Sequence, residues 1–465
     1  MRVVQLVLIA VISGLASAAT NSSYPRVNAC AALEAALLGD VAYPNTTAYI
    51  QLNNYWSDQQ RETLPRCFVT PKTTPDVATV LKILTRQNAP FTVKSGGHVP
   101  FPGGSSIENG VTIDLVHING VDVSADRKTV SVGPGNRWLN VTEKLDPLGL
   151  AVVGGRDQNV GVSGLLLGGG ISFFSGIYGW ACDNVRKYEV VLASGNVIYA
   201  SPNENSDLYW ALRGGGGLNY GVVTRFDLAA FDQGDLWLHM LSFPGTENRT
   251  IIVGFQNLTI EGLPRDPAAH SVLGVASDPF TGVTTATLTF LHAGVPSPPG
   301  SVPAVFQPFE SLPKALATSS STGSVSKYLT LLATPYGGRR DWGNVIISAN
   351  FSQVVLDDIM SLYAKRNAAL IKNGGGDTIA PLALLQAIPV NVLAQMQKNG
   401  GNAFGLTPSD GPLIMVSFPI SWTNPANDKL VMNSTKKLLA DVAATAKKHG
   451  VYNPYIYLNY AGLSQ

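Results

Sequence analysis

The chain has 465 residues, of which 45% are hydrophobic and 14% are charged, and its formal net charge is +1. This length predicts about two or three domains, with enough residues to bury a sizeable core. Because the charges balance and form no basic cluster, the protein lacks the field that attracts nucleic acid or anionic lipid. The composition favours an apolar, neutral small-molecule partner over a polyanion.

The N-terminus has the order of an export signal. Arg2 precedes an apolar run over residues 3–12, and small residues follow up to Ala18. The run is too short to span a bilayer, and a buried N-terminal strand is the alternative. We therefore predict a signal peptide over residues 1–18 and a secreted mature chain that begins near Ala19, with no membrane anchor.

Asn-x-Ser/Thr sequons are compatible with export and with glycosylation of surface loops. They lie at Asn21, Asn45, Asn140, Asn248, Asn257, Asn350 and Asn433. The three cysteines favour one disulfide and one remaining thiol in an exported chain. We pair Cys30 with Cys67, which share the N-terminal stretch. Cys182 is predicted to be a buried apolar residue rather than a reactive thiol.

The first predicted helix covers residues 73–88. Thr74 is its predicted N-cap, Pro75 takes the first helical position, and apolar residues recur at helical spacing. A strand predicted over residues 91–94 leads straight into the glycine turn that ends at His98. The end of this strand is therefore a loop with an accessible backbone.

Short strands then alternate with helical segments. The predictions are strands over 111–115, 120–124 and 129–132, a helix over 138–145, and strands over 187–192, 197–200, 221–227, 237–243 and 284–291. This alternation predicts an α+β fold. Glycine clusters become rare after residue 231, which predicts a second α+β domain over residues 232–450, built on an antiparallel sheet.

Glycine-dense loops dominate the first half of the chain. They are Ser95-Gly96-Gly97-His98, Gly154-Gly155, residues 161–170 and residues 214–217. Clustered glycines let the backbone approach a ligand closely, and successive N–H groups form a concave site for phosphate. A tight turn is the alternative for each loop alone. Four such loops within about 120 residues favour a diphosphate ligand.

Other chemistries lack their usual spacing. G-x-G-x-x-G and G-x-x-x-x-G-K-[ST] are absent, so neither a Rossmann site nor a P-loop is supported. The absence of H-E-x-x-H and G-x-S-x-G disfavours zinc catalysis and serine hydrolysis, and no metal site is predicted. His98 is either a structural residue or a nucleophile towards a planar cofactor.

Several motifs together resemble one group of flavoproteins. They are Lys94-Ser95-Gly96-Gly97-His98, Gly110-Val111-Thr112-Ile113-Asp114-Leu115, Val160-Gly161-Val162-Ser163-Gly164-Leu165, Gly168-Gly169-Gly170, Tyr178-Gly179, Asp183-Asn184 and the run from Asp207 to Gly216. Their order and spacing are similar to those of the berberine-bridge-enzyme-like group of the vanillyl-alcohol-oxidase flavoproteins. The resemblance implies a two-part FAD-binding domain of the PCMH type over residues 19–231, with its core over 63–231.

The resemblance also implies FAD held by a single covalent link from His98 to the flavin 8α-methyl group. Around the diphosphate it implies Lys94, Ser95, Gly96 and Gly97. Elsewhere around the cofactor it implies Val160, Gly161, Ser163, Gly164, Gly168, Gly169, Asn184, Gly221, Val222 and Asn459. Val160 holds the position that controls oxygen access in the family, and a small β-branched residue there fits an oxidase.

One position departs from the family. Many members form a second flavin bond from a cysteine three residues before the Val-Gly-Val loop, and Asp157 stands at that position. The resemblance therefore implies one link and a milder oxidant.

The end of the chain resembles the strand that returns to the FAD-binding domain, over residues 451–465. Alternation along such a strand places Tyr457 and Asn459 on one face. The chain ends five residues after Tyr460, where members of the family continue, so we expect a shortened strand and an exposed apolar groove. Tyr178 and Tyr457, followed by Tyr460, are the candidates for the base that binds a substrate hydroxyl, and a structural role in the core is the alternative.

The resemblance implies a secreted, monomeric, FAD-linked oxidoreductase. It would remove hydride from a C–H bond of an alcohol, a sugar or a secondary metabolite, and would return the electrons to molecular oxygen as hydrogen peroxide. The alternatives are a dehydrogenase with another acceptor, a non-catalytic secreted protein that retains the flavin fold, and a secreted hydrolase without a chromophore.

Overall fold

A computed structural model describes residues 29–217, 219–278, 283–312 and 315–465. The predicted signal peptide over residues 1–18 and the sequon at Asn21 lie outside these residues. Within them, no helix is both long and apolar enough to cross a membrane. Cys30 and Cys67 form the predicted disulfide, and Cys182 is buried as a free thiol.

The fold mixes helices with three β-sheets across the described residues, which confirms the α+β prediction. The α-helices are α1 (Ala29–Ala36), α2 (Thr47–Leu52), α3 (Asp58–Arg61), α4 (Thr74–Arg86), α5 (Trp138–Leu145), α6 (Val162–Leu167), α7 (Ser175–Tyr178), α8 (Ser206–Leu212), α9 (Asn248–Asn257), α10 (Leu263–Arg265), α11 (Gln307–Glu310), α12 (Val325–Leu331), α13 (Gln353–Asn373), α14 (Val390–Gln395) and α15 (Asp428–Lys448).

The first two sheets come from the N-terminal half. The first contains β1 (Val41–Ala42), β2 (Cys67–Val69), β3 (Phe91–Lys94) and β4 (Val111–Asp114), in the order β1-β2-β4-β3. The second contains β5 (Val121–Val123), β6 (Thr129–Val132), β7 (Leu150–Val152), β8 (Val185–Val191), β9 (Val197–Ala200) and β10 (Val222–Asp232). Strands β2 and β3 run parallel to β4, whereas the second sheet is antiparallel.

The third sheet is a large antiparallel sheet, as predicted for the C-terminal half. It contains β11 (Leu236–Pro244), β12 (Ala269–Ser277), β13 (Thr284–His292), β14 (Ala317–Gly323), β15 (Arg339–Asp341), β16 (Asn344–Ser348), β17 (Ala380–Ile388), β18 (Leu413–Ser417), β19 (Ile420–Trp422) and β20 (Tyr452–Asn453). Helices α9, α13 and α15 cover one face and share an apolar core with it. The other face, which these helices leave free, meets the N-terminal half, in part through buried apolar residues such as Leu238 and Leu291.

The register of β12 and β17 places polar side chains on that free face. Val272 pairs with Gln386, and His270 lies two residues before Val272. Because side chains on one face of a strand recur every second residue, His270 and Gln386 project from the same face of the sheet.

The start of α4 differs from the prediction by one residue. Thr73, and not Thr74, is the N-cap: its hydroxyl accepts the Asp76 N–H at 3.3 Å, and the Asp76 carboxylate accepts the Thr73 N–H at 2.9 Å. Thr74 instead donates to the Glu189 carboxylate at 2.6 Å. The reciprocal capping box satisfies N–H groups that the first helical turn leaves free, and Thr74 could not form it from inside the helix.

The predicted return strand over residues 451–465 is wrong beyond Asn453. Pro454 lacks the N–H that would continue pairing, and the chain turns at Leu458–Tyr460, where the Tyr460 N–H donates to the Tyr457 carbonyl at 3.0 Å. The Asn344 side chain binds the backbone of Tyr457 at both its N–H and its carbonyl, at 3.0 and 3.1 Å. A side chain thus holds this segment where the prediction had a strand ladder.

We predict that Thr73→Ala lowers the free energy of unfolding by about 1 kcal/mol, because the N–H of Asp76 loses its acceptor. The urea midpoint of the purified protein measures this change. Thr73→Ser keeps the hydroxyl and should retain the wild-type midpoint. Equal midpoints for the two variants would show that the capping box does not contribute.

Candidate active site

Two glycine loops touch backbone to backbone at the centre of the N-terminal half. The His98 loop (residues 95–98) follows β3, and the Val160 loop (residues 160–164) leads into α6. A Cβ atom on Gly96 would lie 2.5 Å from the Cα of Gly161, and one on Gly161 would lie 2.3 Å from the Gly96 nitrogen. Both distances are far below van der Waals contact, so neither position can carry a side chain without moving the backbone of the other loop.

A single carbonyl ties the two loops together. Ser95 and Ser163 both donate their hydroxyl hydrogens to the Pro134 carbonyl, at 2.6 and 3.3 Å. The Val162 N–H donates to the Asn136 carbonyl at 3.0 Å. The two serine side chains therefore anchor both loops at the same carbonyl.

Lys94 is directed away from the loops. Its ammonium group lies 2.9 Å from the Asp114 carboxylate, donates to the Leu52 carbonyl at 2.5 Å, and stands over the Tyr55 ring. Since this charge is neutralised in the core of the first sheet, the side chain is not free to bind a phosphate. Any contact from Lys94 to a cofactor has to come from its backbone.

His98 stacks on Trp56, with ring centroids 3.9 Å apart and the rings 15° from parallel. Its Nε2 lies 3.4 Å from the hydroxyl of Thr334, which in turn binds the Asp157 carboxylate at 2.6 Å. Burial lowers the pKa of His98 to about 4; Asp157 opposes this effect, whereas Arg137 and Arg340 add to it. The imidazole is therefore neutral at physiological pH, the form in which a ring nitrogen is nucleophilic.

Aromatic rings connect His98 to the end of the chain. Trp56, which stacks on His98, meets Trp342 edge-to-face at 6.2 Å, and Trp342 meets Tyr460 at 4.6 Å. Arg340 covers the Trp56 ring at 4.1 Å. This path of neighbouring rings connects Tyr460 to His98, although the two residues are far apart in sequence.

Arg156 forms hydrogen bonds with three side chains from the C-terminal half. Its guanidinium group donates to the Gln386 amide oxygen at 2.6 Å, to the His270 Nε2 at 3.0 Å and to the Tyr460 hydroxyl at 3.0 Å. A guanidinium group only donates, so His270 accepts through Nε2 and is neutral. Burial, together with the Arg156 charge, lowers the pKa of His270 well below its ordinary value. These four residues form the Arg156 cluster.

Tyr457 and Asn459 contact each other through a turn, and not from one face of a strand as predicted. The Asn459 amide donates to the Tyr457 hydroxyl at 3.2 Å, and the Ile171 N–H donates to the same oxygen at 3.1 Å. Burial, followed by Tyr460, raises the pKa of Tyr457 to about 12. Asn459 also fills the space that a side chain at position 168 would need. A Cβ atom on Gly168 would lie 2.1 Å from the Asn459 amide oxygen.

Other predicted residues are engaged elsewhere. The Tyr178 ring packs on Phe231 at 4.3 Å rather than on the tyrosines of the chain end. Asn184 donates to the Tyr178 and Trp180 carbonyls.

Gly221, at φ +146°, lies against β8, and the neighbouring Val222 is buried. Gly169, at φ +117°, lies under Phe404 and Trp180. Val160 is half-buried, and its carbonyl accepts the Trp138 N–H at 3.0 Å.

Residues 65–201 match the FAD binding domain family. The chain is also 35% identical over 422 residues to the FAD-dependent monooxygenase tpcD of Cochliobolus heterostrophus, a match that covers 88% of this chain and 80% of that protein. The chain belongs to the berberine-bridge-enzyme-like FAD-linked oxidoreductases.

Solved structures agree on the fold of this FAD-linked oxidoreductase. The xylooligosaccharide oxidase from Myceliophthora thermophila C1 superimposes with a TM-score of 0.76 at 20% identity, over 94% of this chain and 91% of that chain. Berberine bridge enzyme superimposes with a TM-score of 0.75 at 16% identity, over 94% and 88% of the respective chains. At these identities the likeness establishes the fold.

The glycine loops of this FAD-linked oxidoreductase suit a flavin dinucleotide. Gly96 and Gly161 bring bare backbone together, and a Cβ atom on the exposed Gly164 would meet no protein atom within 4 Å. A diphosphate binds to closely approached backbone N–H groups, and the neutral His98 imidazole stands at the end of the same loop. The residues present therefore fit the cofactor that the family binds.

The sequence of this FAD-linked oxidoreductase did not predict the residues that surround His98 and Tyr460. They are Trp56, Arg156, His270, Thr334, Trp342 and Gln386. One signal was available: Arg156 directly follows the Gly154-Gly155 pair and directly precedes the departure at Asp157. The partners from the third sheet carry no local signal, because strand pairing alone brings them together.

We predict that Gly161→Ala lowers the free energy of unfolding by about 1–3 kcal/mol, because its Cβ atom overlaps the Gly96 backbone. Flavin content should fall with it, since the loops separate. Gly234→Ala is the matched control: its Cβ atom meets nothing within 4 Å. Thermal unfolding and the ratio of flavin to protein measure both effects. Wild-type values for Gly161→Ala would contradict the loop contact.

Proposed function

We propose that this chain is an exported FAD-dependent oxidase with FAD covalently linked to His98. It removes hydride from a C–H bond beside an oxygen or nitrogen atom of a small molecule, and it returns the electrons to dioxygen as hydrogen peroxide. When bound, FAD accepts the hydride and passes on the electrons. The observation that carries the proposal is the contact path that joins the neutral His98 imidazole to the phenol of Tyr460.

Tyr460 is the favoured base among the three candidate tyrosines. Its hydroxyl oxygen accepts a hydrogen bond from Arg156, so the phenol hydrogen points elsewhere. To take a substrate proton this oxygen must first carry negative charge, and that charge would face the fixed guanidinium group of Arg156. Tyr457 lacks this arrangement, since it is fully buried and its raised pKa keeps it protonated at neutral pH.

The remaining members of the Arg156 cluster hold the guanidinium in place. Gln386 and the neutral His270 both accept from Arg156 and project from the free face of the third sheet. Because both are buried, the guanidinium loses little freedom when a substrate arrives. The substrate then lies between the Val160 loop and this sheet, and Val160 controls the access of oxygen.

Surface features support the export part of the proposal. The sequon residues Asn45, Asn140, Asn257, Asn350 and Asn433 are exposed. A disulfide joins Cys30 to Cys67, and such bonds persist in oxidising compartments. The predicted signal over residues 1–18 adds the route. We expect the secreted protein to be a glycosylated monomer.

Absorption spectra before and after acid precipitation test the link to His98. We predict that yellow colour stays with the wild-type precipitate and washes out of His98→Ala, because the variant lacks the nitrogen that bonds to the flavin. His117→Ala, at an exposed histidine, should keep its colour in the precipitate. A wild-type protein that binds no flavin would refute the oxidase, and colour released by acid would refute the covalent link.

Flavin reduction by substrate tests Tyr460. We predict that Tyr460→Phe lowers the rate of anaerobic reduction by about 100-fold or more, because the substrate proton loses its acceptor. Tyr455→Phe is the matched control: the Tyr455 hydroxyl has no hydrogen-bond partner in the described part of the chain, so its loss should leave the rate unchanged. Equal rates for Tyr460→Phe and wild type would remove Tyr460 from the mechanism.

The fate of oxygen separates oxidase from monooxygenase, the activity in the name of the tpcD relative. An oxidase releases one hydrogen peroxide per substrate and incorporates no label from ¹⁸O₂. Label in the product would assign a monooxygenase. Turnover only with an artificial acceptor would assign a dehydrogenase, and bound flavin without bleaching by any substrate would assign a binding protein.

A further inference from the structure

Asp157 and Thr334 form a hydrogen-bond chain that ends on His98. The Asp157 carboxylate accepts the Asn159 N–H at 2.8 Å through one oxygen. Its other oxygen accepts both the N–H and the hydroxyl of Thr334, at 2.7 and 2.6 Å. The Thr334 hydroxyl lies 3.4 Å from the His98 Nε2. Asp157 is therefore held at both oxygens, and its position fixes that of Thr334.

The donors along this hydrogen-bond chain all point towards Asp157. Thr334 has a single hydroxyl hydrogen, and the short contact with a carboxylate oxygen, which accepts and does not donate, commits it to Asp157. The Thr334 oxygen can then only accept from His98, so the imidazole hydrogen is on Nε2. Because the neutral imidazole carries one hydrogen, Nδ1 keeps its lone pair.

We propose that Asp157 and Thr334 are positioning residues for covalent attachment of FAD: they hold His98 as the Nε2–H tautomer and leave Nδ1 free to form the bond. The inference rests on the proposed link to His98. It also gives Asp157 a role at the position where the family places a second cysteine link.

The step balances with dioxygen as the oxidant. A bond forms between Nδ1 and the 8α-methyl carbon of the flavin, and one C–H bond of that methyl group breaks. One proton leaves the carbon and a second leaves Nε2, while two electrons pass through the flavin to dioxygen, which gives hydrogen peroxide. Thr334 lies where it can receive the Nε2 proton as its own hydroxyl hydrogen passes to Asp157.

The charges around His98 agree with this role. Arg137 and Arg340 oppose a positive charge on the imidazole, whereas the negative charge of Asp157 favours one. When Nδ1 forms a bond, the ring becomes transiently cationic until Nε2 releases its proton. Asp157 is the anion that stabilises this charge, and Thr334 transmits the contact.

Four variants test the hydrogen-bond chain from Asp157 to His98. They are Thr334→Val, Thr334→Ser, Asp157→Asn and, as a control at an exposed threonine, Thr330→Val. The readout is the ratio of acid-stable flavin to total bound flavin in the purified protein, which does not depend on the yield of folded protein. We predict that Thr334→Val and Asp157→Asn lower this ratio about tenfold while they still bind flavin. Thr334→Ser and Thr330→Val should match wild type.

The linking nitrogen gives a second readout. NMR of the flavin peptide released by proteolysis should show the bond at Nδ1 of His98. A bond at Nε2, or a wild-type ratio in Thr334→Val, would overturn the inference while the covalent oxidase stands. Wild-type flavin that acid releases completely would overturn the proposed link and the inference together.

Discussion

Gly96 and Gly161 bring two backbone segments to a separation that no side chain permits, and the geometry of the site depends on this contact. The His98 loop comes from a parallel strand of the first sheet, and the Val160 loop leads into α6. Once the loops touch, His98 on one side and Asp157 on the other come within reach of the same threonine. A side chain at either glycine would separate the two loops, and with them His98 and Asp157, the two groups that we propose act on the cofactor.

Arg156 is the second constraint, because it joins the N-terminal half to the third sheet. Its three acceptors come from β12, β17 and the turn at Leu458–Tyr460. Arg156 is half-buried, and these three hydrogen bonds hold its guanidinium group in one position. The polar cluster therefore has two consequences: it aligns the free face of the sheet with the glycine loops, and it fixes a cation against the Tyr460 phenol.

Local signals explain which parts of the structure the sequence could predict. The helix Trp138–Leu145 and the strands Phe91–Lys94, Thr129–Val132 and Val197–Ala200 match their predicted bounds, because hydrophobic period and turn residues act over a few positions. The N-cap of α4 was misplaced by one residue, since adjacent threonines compete and only the reciprocal bond to Asp76 decides between them. The chain end was predicted as a strand because alternation was visible, whereas the side chain of Asn344, which replaces the partner strand, was not.

The candidate site likewise contains residues that the sequence could predict and residues that it could not. Glycine loops and His98 stand out in the sequence because their spacing is local. Thr334, His270 and Gln386 do not, because they reach the site through loop closure and strand register over long separations.

Tyr457 and Tyr460 differ in the groups that surround their hydroxyl oxygens. Tyr457 has two donors on its hydroxyl, which favour the phenolate, yet it is sealed in the core, and burial prevails: its pKa rises to about 12. Tyr460 is only half-buried and has a cation in place of neutral donors. Both are tyrosines of one short segment, so sequence alone provided no physical ground for preferring Tyr460. The neighbours of each oxygen do separate them, and they favour the tyrosine that the sequence had placed last.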